Sequence, residues 1–207
     1  MITKKKELDF YLMADMMMNR GKFRWSIKDR LKRVIIPDYI MQYLKSMRYV
    51  AYMQVGRDMS FYLKTKCLFH ALRYRELGVK LGFSIGPQVF GYGLVIPHYG
   101  TIVVGASNRI GNYCVLHTST CITDNKKVIG TGLYLSTGAK MTSKIELGDY
   151  ISVGANSLVN KSFKSNIMIA GNPAVKIKDT DPWYIRDGKE YVDKVRCVEE
   201  LKKKMDI

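Results

Sequence analysis

An aliphatic residue recurs at every sixth position through much of the second half of the chain. A small or polar residue follows each of these positions. Four positions after each aliphatic stands another residue, which is apolar in most of the repeats. The aliphatic series is Ile129, Leu135, Met141, Leu147, Val153 and Val159. A period of six matches neither the 3.6-residue turn of a helix nor the two-residue repeat of a strand. It indicates a β-helix in which three hexapeptides make one triangular coil.

The same series begins further upstream, so the coils extend toward the middle of the chain. Its earlier members are Val104, Ile110, Leu116 and Ile122. The register slips by one residue before Ile129, within the polar stretch 123–127, which we expect to leave the coil as a loop. Each coil buries its apolar face only against its neighbours, so several coils are needed for stability. Residues 84–177 are long enough to supply them.

The remaining parts of the chain have a helical character. Residues 1–83 are rich in Lys, Arg, Met, Tyr and Leu, and their apolar residues recur at spacings of three and four. Three helices are predicted there, with stripes Leu8, Tyr11, Leu12, Met16; Ile40, Tyr43, Leu44, Met47; and Phe61, Leu63, Leu68, Leu72. A last helix with the stripe Val195, Val198, Leu201 and Met205 is predicted within residues 178–207. The expected fold is therefore an all-β core with helical additions at both ends.

The charge balance of the chain favours an anionic partner. Lys and Arg total 34 against 18 Asp and Glu, which gives a formal net charge of +16. Such a field attracts cofactor phosphates, nucleic acid or an anionic membrane face carrying a lipid-linked substrate, and charge alone does not choose among them. The chain has no zinc-finger, RNA-recognition or K-homology signature, so we expect no nucleic-acid partner.

The sequence also predicts the compartment in which the protein works. No apolar run approaches the ~20 residues of a membrane span, and acidic residues interrupt the start of the chain, so it lacks the core of a signal peptide. The four cysteines form no CxxC pair, and Cys114 takes an inward position of its hexapeptide. We therefore expect a cytoplasmic protein with reduced thiols and no membrane span.

Two of the three histidines fall within the repeat region. His98 stands six residues before Val104, where the period predicts a core aliphatic. A polar ring there is either a buried imidazole satisfied by backbone groups or a functional group. His117 occupies the small or polar position of its hexapeptide, which suits either a surface residue or an acceptor-binding group. His70 lies in the third predicted helix, where a structural role is favoured, and the histidines are not spaced as a three-histidine metal site.

Two motifs carry a family resemblance over roughly half of the chain. Residues 91–117 contain G-x-G-L-x-I-x-H-x-G-x-I-V-V-G followed by I-G-N-x-C-x-L-H, and residues 170–176 read A-G-N-P-A-V-K. Both resemble the serine acetyltransferase family of hexapeptide acyltransferases. The resemblance implies a left-handed parallel β-helix that assembles as a homotrimer and binds acetyl-CoA, without a metal, in the groove between adjacent subunits.

The resemblance also assigns residues to roles. It implies that His98 is the catalytic base, since a neutral imidazole, with an ordinary pKa of ~6.5, can take a proton from an alcohol. His117 and Tyr99 are assigned to the acceptor, together with Ser84, which aligns near the family's aspartate that orients the catalytic histidine. For CoA, the resemblance points to Gly138, Ala139, Gly154, Ala155, Lys161, Gly171 and Lys176.

The acceptor predicted from these residues is a sugar. Pro97 replaces the aspartate that precedes the catalytic histidine in serine acetyltransferases, and the loop that carries their arginine and second histidine is cut down to residues 124–127. The chain more closely resembles the branch that acetylates sugars of surface polysaccharides. We therefore expect an acetyl-CoA-dependent O-acetyltransferase of such a polysaccharide or its precursor, with peripheral association with a lipid-linked glycan as an option. Serine O-acetyltransferase and a non-catalytic β-helix binding module are the alternatives.

Overall fold

Helices occupy the two ends of the chain, and short strands fill the middle of this computed structural model, which describes residues 2–55 and 59–207. The helices are α1 (Lys5–Arg20), α2 (Ile27–Ile35), α3 (Tyr39–Val55), α4 (Phe61–Leu81), α5 (Trp183–Arg186) and α6 (Lys189–Lys204). The strands are β1 (Phe83–Ile85), β2 (Ile102–Val104), β3 (Arg109–Ile110), β4 (Val115–Leu116), β5 (Thr120–Ile122), β6 (Val128–Ile129), β7 (Tyr134–Leu135), β8 (Lys140–Met141), β9 (Glu146–Leu147), β10 (Ser152–Val153), β11 (Leu158–Val159), β12 (Ile167–Gly171) and β13 (Ala174–Asp179).

The strands form the three faces of a triangular solenoid. Face A has the order β1-β2-β5-β8-β11, face B the order β3-β6-β9, and face C the order β13-β12-β10-β7-β4. Every pairing is parallel except the terminal hairpin of β12 with β13, and Ile102 pairs with Thr120, one coil of eighteen residues further along. The solenoid has about five turns, so the fold predicted from the six-residue period is confirmed.

The hexapeptide aliphatics fill the interior of the prism. Each member of the series from Ile129 to Val159 is at most 4% exposed, and Cys114, placed inward by the repeat, is 1% exposed. Burying one such side chain stabilises the fold by about 1.5–3 kcal/mol. Because every coil contributes three of them, the stack itself forms one continuous core.

The corner at residues 123–127 accommodates the one-residue slip in the repeat. Asp124, Asn125 and Lys126 are exposed, as expected of a loop. Lys127, however, is 0% exposed, and its Nζ donates to the Thr123 carbonyl at 2.7 Å and to the Thr123 hydroxyl at 2.9 Å. Burial lowers the pKa of its ammonium group. The expectation that the whole stretch leaves the coil is thus wrong at Lys127, whose hydrogen bonds close the corner from inside.

One buried ion pair joins the N-terminal helices to the first coil. Asp15 on α1 and Arg48 on α3 are each 1% exposed, and Arg48 Nε lies 2.8 Å from Asp15 Oδ2. Asp15 also accepts hydrogen bonds from the amides of residues 93–94, while Arg48 donates to the carbonyls of residues 90–91. Both charges are therefore satisfied by the partner and by backbone groups of the coil.

The predicted core stripe of α4 is wrong. Phe61, Leu68 and Leu72 are 83%, 59% and 66% exposed. The residues that α4 buries are instead Cys67, His70, Leu77, Gly78 and Leu81. Apolar residues occur on two sides of this helix, and their spacing alone does not say which side packs. The stripe of α3 is confirmed, because all four of its residues are buried.

The C-terminal segment returns to pack beside α1 and face C. Val198 is 0% exposed and the rest of the predicted stripe of α6 is partly buried against the same cluster, which confirms that helix. Trp183 is almost wholly buried, and its Nε1 donates to the Tyr113 carbonyl at 2.7 Å. The predicted boundaries after residues 83 and 177 fall inside β1 and β13. In the described ranges we find no helix that is long and apolar enough to cross a bilayer.

Candidate active site

Most of the predicted site residues lie along a single edge of the prism. The turns that lead from face C to face A, at residues 96–101, 117–119, 136–139 and 154–157, stack on one another. The Gly138 amide donates to the Thr118 carbonyl at 3.0 Å, and the Asn156 amide donates to the Thr137 carbonyl at 2.9 Å. We call this stack the C–A edge. It brings together the catalytic and most of the CoA-binding predictions, although they spread over some sixty residues of sequence.

His98 is exposed in the first turn of the C–A edge. The prediction that it takes the place of a core aliphatic is wrong, because Ile96 points inward there and is 0% exposed. The turn from Val95 to β2 is longer than a regular corner, which shifts the register of the repeat. The alternative of a buried, backbone-satisfied imidazole is therefore excluded. Asn19 of α1 secures the preceding segment by donating to the Leu94 carbonyl at 2.7 Å and accepting from the Ile96 amide at 3.2 Å.

His117 lies one coil further along the same edge and is half-buried. Its Nε2 is 2.9 Å from the hydroxyl of Tyr134. Burial lowers the pKa of His117, and the charge of His98 lowers it further, while Asp187 opposes the shift. The lowered pKa favours a neutral His117 ring at neutral pH.

Tyr134 and Arg186 form a polar wall that sequence reasoning missed. The Arg186 guanidinium lies 4.8 Å from the centre of the Tyr134 ring and donates to the Ser152 hydroxyl at 2.9 Å. Burial raises the pKa of the Tyr134 phenol, which keeps it protonated. Together with Lys178 these residues line a cavity of about 260 Å³ on the outer side of face C. The only signal in the sequence was an aromatic residue at an outward position of the repeat.

The other two acceptor predictions differ in their placement. Tyr99 is 75% exposed in the same turn as His98. Ser84 lies on β1, where it points outward from face A and pairs in register with Val103. Among the described residues, no hydrogen bond joins the Ser84 hydroxyl to the His98 ring. Ser84 therefore does not orient the imidazole in the way that the aligned aspartate would.

The small residues predicted to bind CoA follow the C–A edge. Gly138 has a φ of +75°, and a Cβ there would lie 2.0 Å from the Asn156 Oδ1, so only glycine fits. Ala139 is 0% exposed and faces the core. Gly154 is buried beside the exposed Ala155. Small side chains thus pack this edge closely, with Ala155 exposed and Gly138, Ala139 and Gly154 buried.

The end of the solenoid contacts the C–A edge, and the lysines around it differ in their placement. The Gly171 amide donates to the Ser157 hydroxyl at 3.0 Å, which joins the terminal hairpin to the C–A edge. Lys176 lies on β13 and pairs with Asp179 at 2.7 Å, whereas Lys161 lies on the turn between faces A and B. The structure therefore does not bring Lys161 to this edge. Lys140, which was not predicted, donates to the Gly138 carbonyl at 3.0 Å and places a cation there.

The C–A edge is distinct from a cleft of about 730 Å³ that lies among α1, α2 and α3, and the lining of that cleft contains no histidine. The edge instead combines an exposed imidazole with a second imidazole bonded to a phenol. Such groups can accept a proton from an alcohol.

Comparison with known proteins gives relatives that are named as acetyltransferases. The chain is 26% identical over 100 residues to a serine acetyltransferase of Synechococcus elongatus, covering 44% of this chain and 41% of the relative. It is 35% identical over 88 residues to the Escherichia coli protein named "Putative colanic acid biosynthesis acetyltransferase WcaF", covering 39% of this chain and 48% of that protein. No family model matches the chain. The chain thus spans less than half the length of these relatives.

A solved structure agrees with these relatives in fold. A serine acetyltransferase in complex with CoA superposes with a TM-score of 0.62 at 20% identity, covering 84% of this chain and 71% of that chain. Such neighbours are left-handed β-helices, so the predicted hand is confirmed. By its coils and its relatives, the chain is similar to serine acetyltransferases and shares the fold of their left-handed β-helix structures.

Proposed function

We propose that the protein is an acetyl-CoA-dependent O-acetyltransferase whose acceptor is a hydroxyl of a surface-polysaccharide sugar or its precursor. The observation that carries the proposal is the exposed His98 on the C–A edge, one coil away from His117, on a solenoid that resembles the serine acetyltransferases. The relatives are named as acetyltransferases, and one structural neighbour binds CoA. The cytoplasmic location remains a prediction.

His98 acts as the general base. A ring nitrogen of neutral His98 accepts the proton of the acceptor hydroxyl while that oxygen forms a bond to the acetyl carbonyl carbon. The carbon–sulfur bond of the thioester then breaks, and His98 returns the proton to the departing thiolate, so the base is regenerated. A positioned base of this kind contributes about 10²–10⁴-fold to the rate. Backbone amides of the edge are suited to stabilise the developing oxyanion.

The residues of the C–A edge fit the shape and charge of CoA. Gly138, Gly154 and Ala155 have no side chain beyond Cβ, so a pantetheine chain can approach the backbone there. Lys140 places a cation beside this strip, and Lys176 lies on the terminal hairpin that the edge contacts. Ala139 faces inward and contributes packing only. When bound, acetyl-CoA supplies the activated acetyl group.

A groove between adjacent subunits of a homotrimer is the proposed location of CoA. The outer faces of the prism carry exposed valines and isoleucines, notably Val103, Val128, Val175 and Ile177 at 37% to 55% exposure. A neighbouring copy would cover such side chains on each of the three faces. A neighbouring subunit also provides a route by which Lys161, which lies on another edge, could meet CoA.

The acceptor side is formed by His117, Tyr134 and Arg186. The His117–Tyr134 pair presents a neutral ring and a phenol, which can donate to and accept from sugar hydroxyls. Pro97 supplies no anion for an amino acid's ammonium group, which disfavours a zwitterionic acceptor. The name of the colanic acid relative supports a glycan.

L-serine is the second candidate acceptor. The relatives from Synechococcus, Buchnera and Arabidopsis are all named serine acetyltransferases, so similarity by itself favours serine at least as strongly as a glycan. Arg186 offers a cation that could meet a carboxylate. The choice therefore depends on measured turnover.

An acceptor panel tests the proposal. Thiol release from acetyl-CoA is measured with hexopyranosides, oligosaccharides and L-serine, for the wild-type chain and for His98→Ala. We expect release with a sugar and a loss of about 10²–10⁴-fold in His98→Ala, with an unchanged circular dichroism spectrum because His98 is exposed. Wild-type rates in His98→Ala would refute the base.

The remaining outcomes separate the alternatives. Turnover with L-serine alone would establish the second candidate and overturn the glycan. A chain that binds CoA yet releases no thiol with any acceptor would be the non-catalytic binding module.

A further inference from the structure

Helix α2 turns its apolar side toward the outside of the molecule. Ile27, Leu31, Val34 and Ile35 are 78%, 66%, 79% and 83% exposed, and no residue of the helix is buried. At 100° per residue these four side chains fall within an arc of about 100° on one side of the helix. An amphipathic helix ordinarily buries such a stripe against its own protein, so this one is available to a partner.

The opposite side of α2 is attached through polar contacts. Asp29 accepts from Lys22 at 2.9 Å and from the Ser26 cap, and the Arg33 guanidinium lies 4.8 Å from the ring centre of Trp25. The 730 Å³ cleft separates much of α2 from α1 and α3. These contacts join α2 to the segment 22–26 that precedes it, and Val34, at the margin of the stripe, also borders the cleft.

The surroundings of the stripe are strongly basic. Residues 22–33 carry six cations and one anion, a net charge of +5, and Lys28, Lys32 and Arg30 border the stripe on its two sides. In a two-fold contact between two copies the same patch would face itself, so these cations would repel one another. An anionic lipid surface instead offers opposite charge to the border and an apolar interior to the stripe.

We propose that α2 docks the protein on anionic membranes. The helix lies in the plane of the interface, with Ile27, Leu31, Val34 and Ile35 inserted among the acyl chains and Lys28, Arg30 and Lys32 at the phosphate level. An apolar face combined with bordering cations is the pattern that produces reversible, composition-dependent membrane binding.

The last turn of α1 connects this helix to the candidate site. Asn19 hydrogen-bonds the segment 94–96 that leads to His98, and Arg20 pairs at 2.6 Å with Asp38, which follows the end of α2. The segment before His98 and the segment after α2 thus bind two adjacent residues of α1, Asn19 and Arg20. This arrangement would bring the site near a lipid-linked acceptor, but the docking itself does not depend on the reaction.

Vesicle flotation of the full chain tests the proposal without any activity measurement. Vesicles of phosphatidylcholine with about 30% phosphatidylserine are compared with phosphatidylcholine alone. We expect binding to the anionic vesicles, at least tenfold weaker binding for Leu31→Asn/Val34→Asn, and weakening by about tenfold for Lys28→Gln/Lys32→Gln. These side chains are exposed, so the variants should fold normally, which circular dichroism would verify.

Matched controls come from equally exposed residues elsewhere. Leu68→Asn/Leu72→Asn on α4 and Lys203→Gln/Lys204→Gln on α6 should bind vesicles as the wild type does. Equal binding by the α2 variants and the wild type would overturn the proposal, as would a lack of preference for anionic vesicles. So would a chain that ignores vesicles but self-associates in light scattering through the same α2 residues. A failure of acetyl transfer would leave the flotation result unchanged.

Discussion

The coil stack and the helical region that caps it are held together by different kinds of contact. The coils repeat one interaction, an inward aliphatic against the aliphatics above and below, at almost every corner. The cap has an apolar core as well, with Tyr43, Leu44 and Met47 at 0% exposure, and it adds a buried ion pair of Asp15 with Arg48 that also contacts the coil backbone. Removing a charge from the cap should therefore act differently from removing an apolar group in the coils, and substitutions should separate the two regions.

The largest effect is expected from breaking the ion pair of the cap. Arg48→Met leaves the Asp15 carboxylate buried without its counter-charge, and we expect the free energy of unfolding to fall by about 3–5 kcal/mol. Urea denaturation followed by circular dichroism measures this loss. Hydrogen exchange should show that α1 and α3 lose protection before the later coils.

The double variant Asp15→Leu/Arg48→Met sharpens this test. It removes both charges, so part of the lost stability should return. Recovery should be incomplete, because the amides of residues 93–94 and the carbonyls of residues 90–91 lose their partners. A single variant as stable as the wild type would contradict a cap that depends on this pair.

A somewhat smaller effect is expected within the coils. Leu135 is 0% exposed in β7, between β4 and β10, and Leu135→Ala should cost about 3 kcal/mol through lost burial and the cavity left behind. The exposed Glu146, in the next coil, provides the control, since Glu146→Ala should change stability by less than about 0.5 kcal/mol. If exchange rates in α1 rose as much as those in the neighbouring coils, the idea of independent regions would be wrong.

The smallest effect is a pH dependence that originates in the cap. His70 stacks on Tyr49 and its Nδ1 lies 3.1 Å from the Ser46 hydroxyl. Burial lowers its pKa to about 4, and the charges of Lys45 and Lys66 add to the shift. Below pH 6.5 the unfolded chain takes up a proton that the folded chain does not, so stability falls as the pH drops from about 6.5 to about 4.

Urea midpoints at pH 7 and pH 5 measure this dependence. His70→Gln should flatten the difference between the two midpoints. His117→Gln is the matched control in the coils, because the pKa of His117 is lowered too. This variant should remove only a part of the difference between the two midpoints. An unchanged slope in His70→Gln would show that another group causes the acid sensitivity.

The sequence predicted the coil stack well and several single residues poorly. The period placed Ile129 to Val159 and Cys114 inward, as observed. It failed at His98, because the first turn of the C–A edge contains extra residues, and at Lys127, because a lysine can be buried when carbonyls satisfy it. In α4 the spacing described two apolar sides and could not say which one packs.

The candidate site was predicted only in the part that the repeat encodes. His98, His117, Gly138 and Gly154 follow from the motifs and the coil length, which places them on one edge. The contact of His117 with Tyr134, and the approach of Arg186 to that ring, had no counterpart in the spacing. Arg186 is supplied by the C-terminal segment, which no periodic pattern connects to the coils.

The division between sequence and tertiary structure follows the range of the interactions. A solenoid packs each hexapeptide against residues about eighteen positions away, so its period alone determined the coils, their core and the stacked turns. Only the tertiary structure decided that Asp15 meets Arg48 across 33 residues, that His98 faces solvent, and that α2 points its apolar stripe outward. Those outcomes depend on how separate elements satisfy buried polar groups. A local sequence pattern does not specify which distant residue such a group will contact.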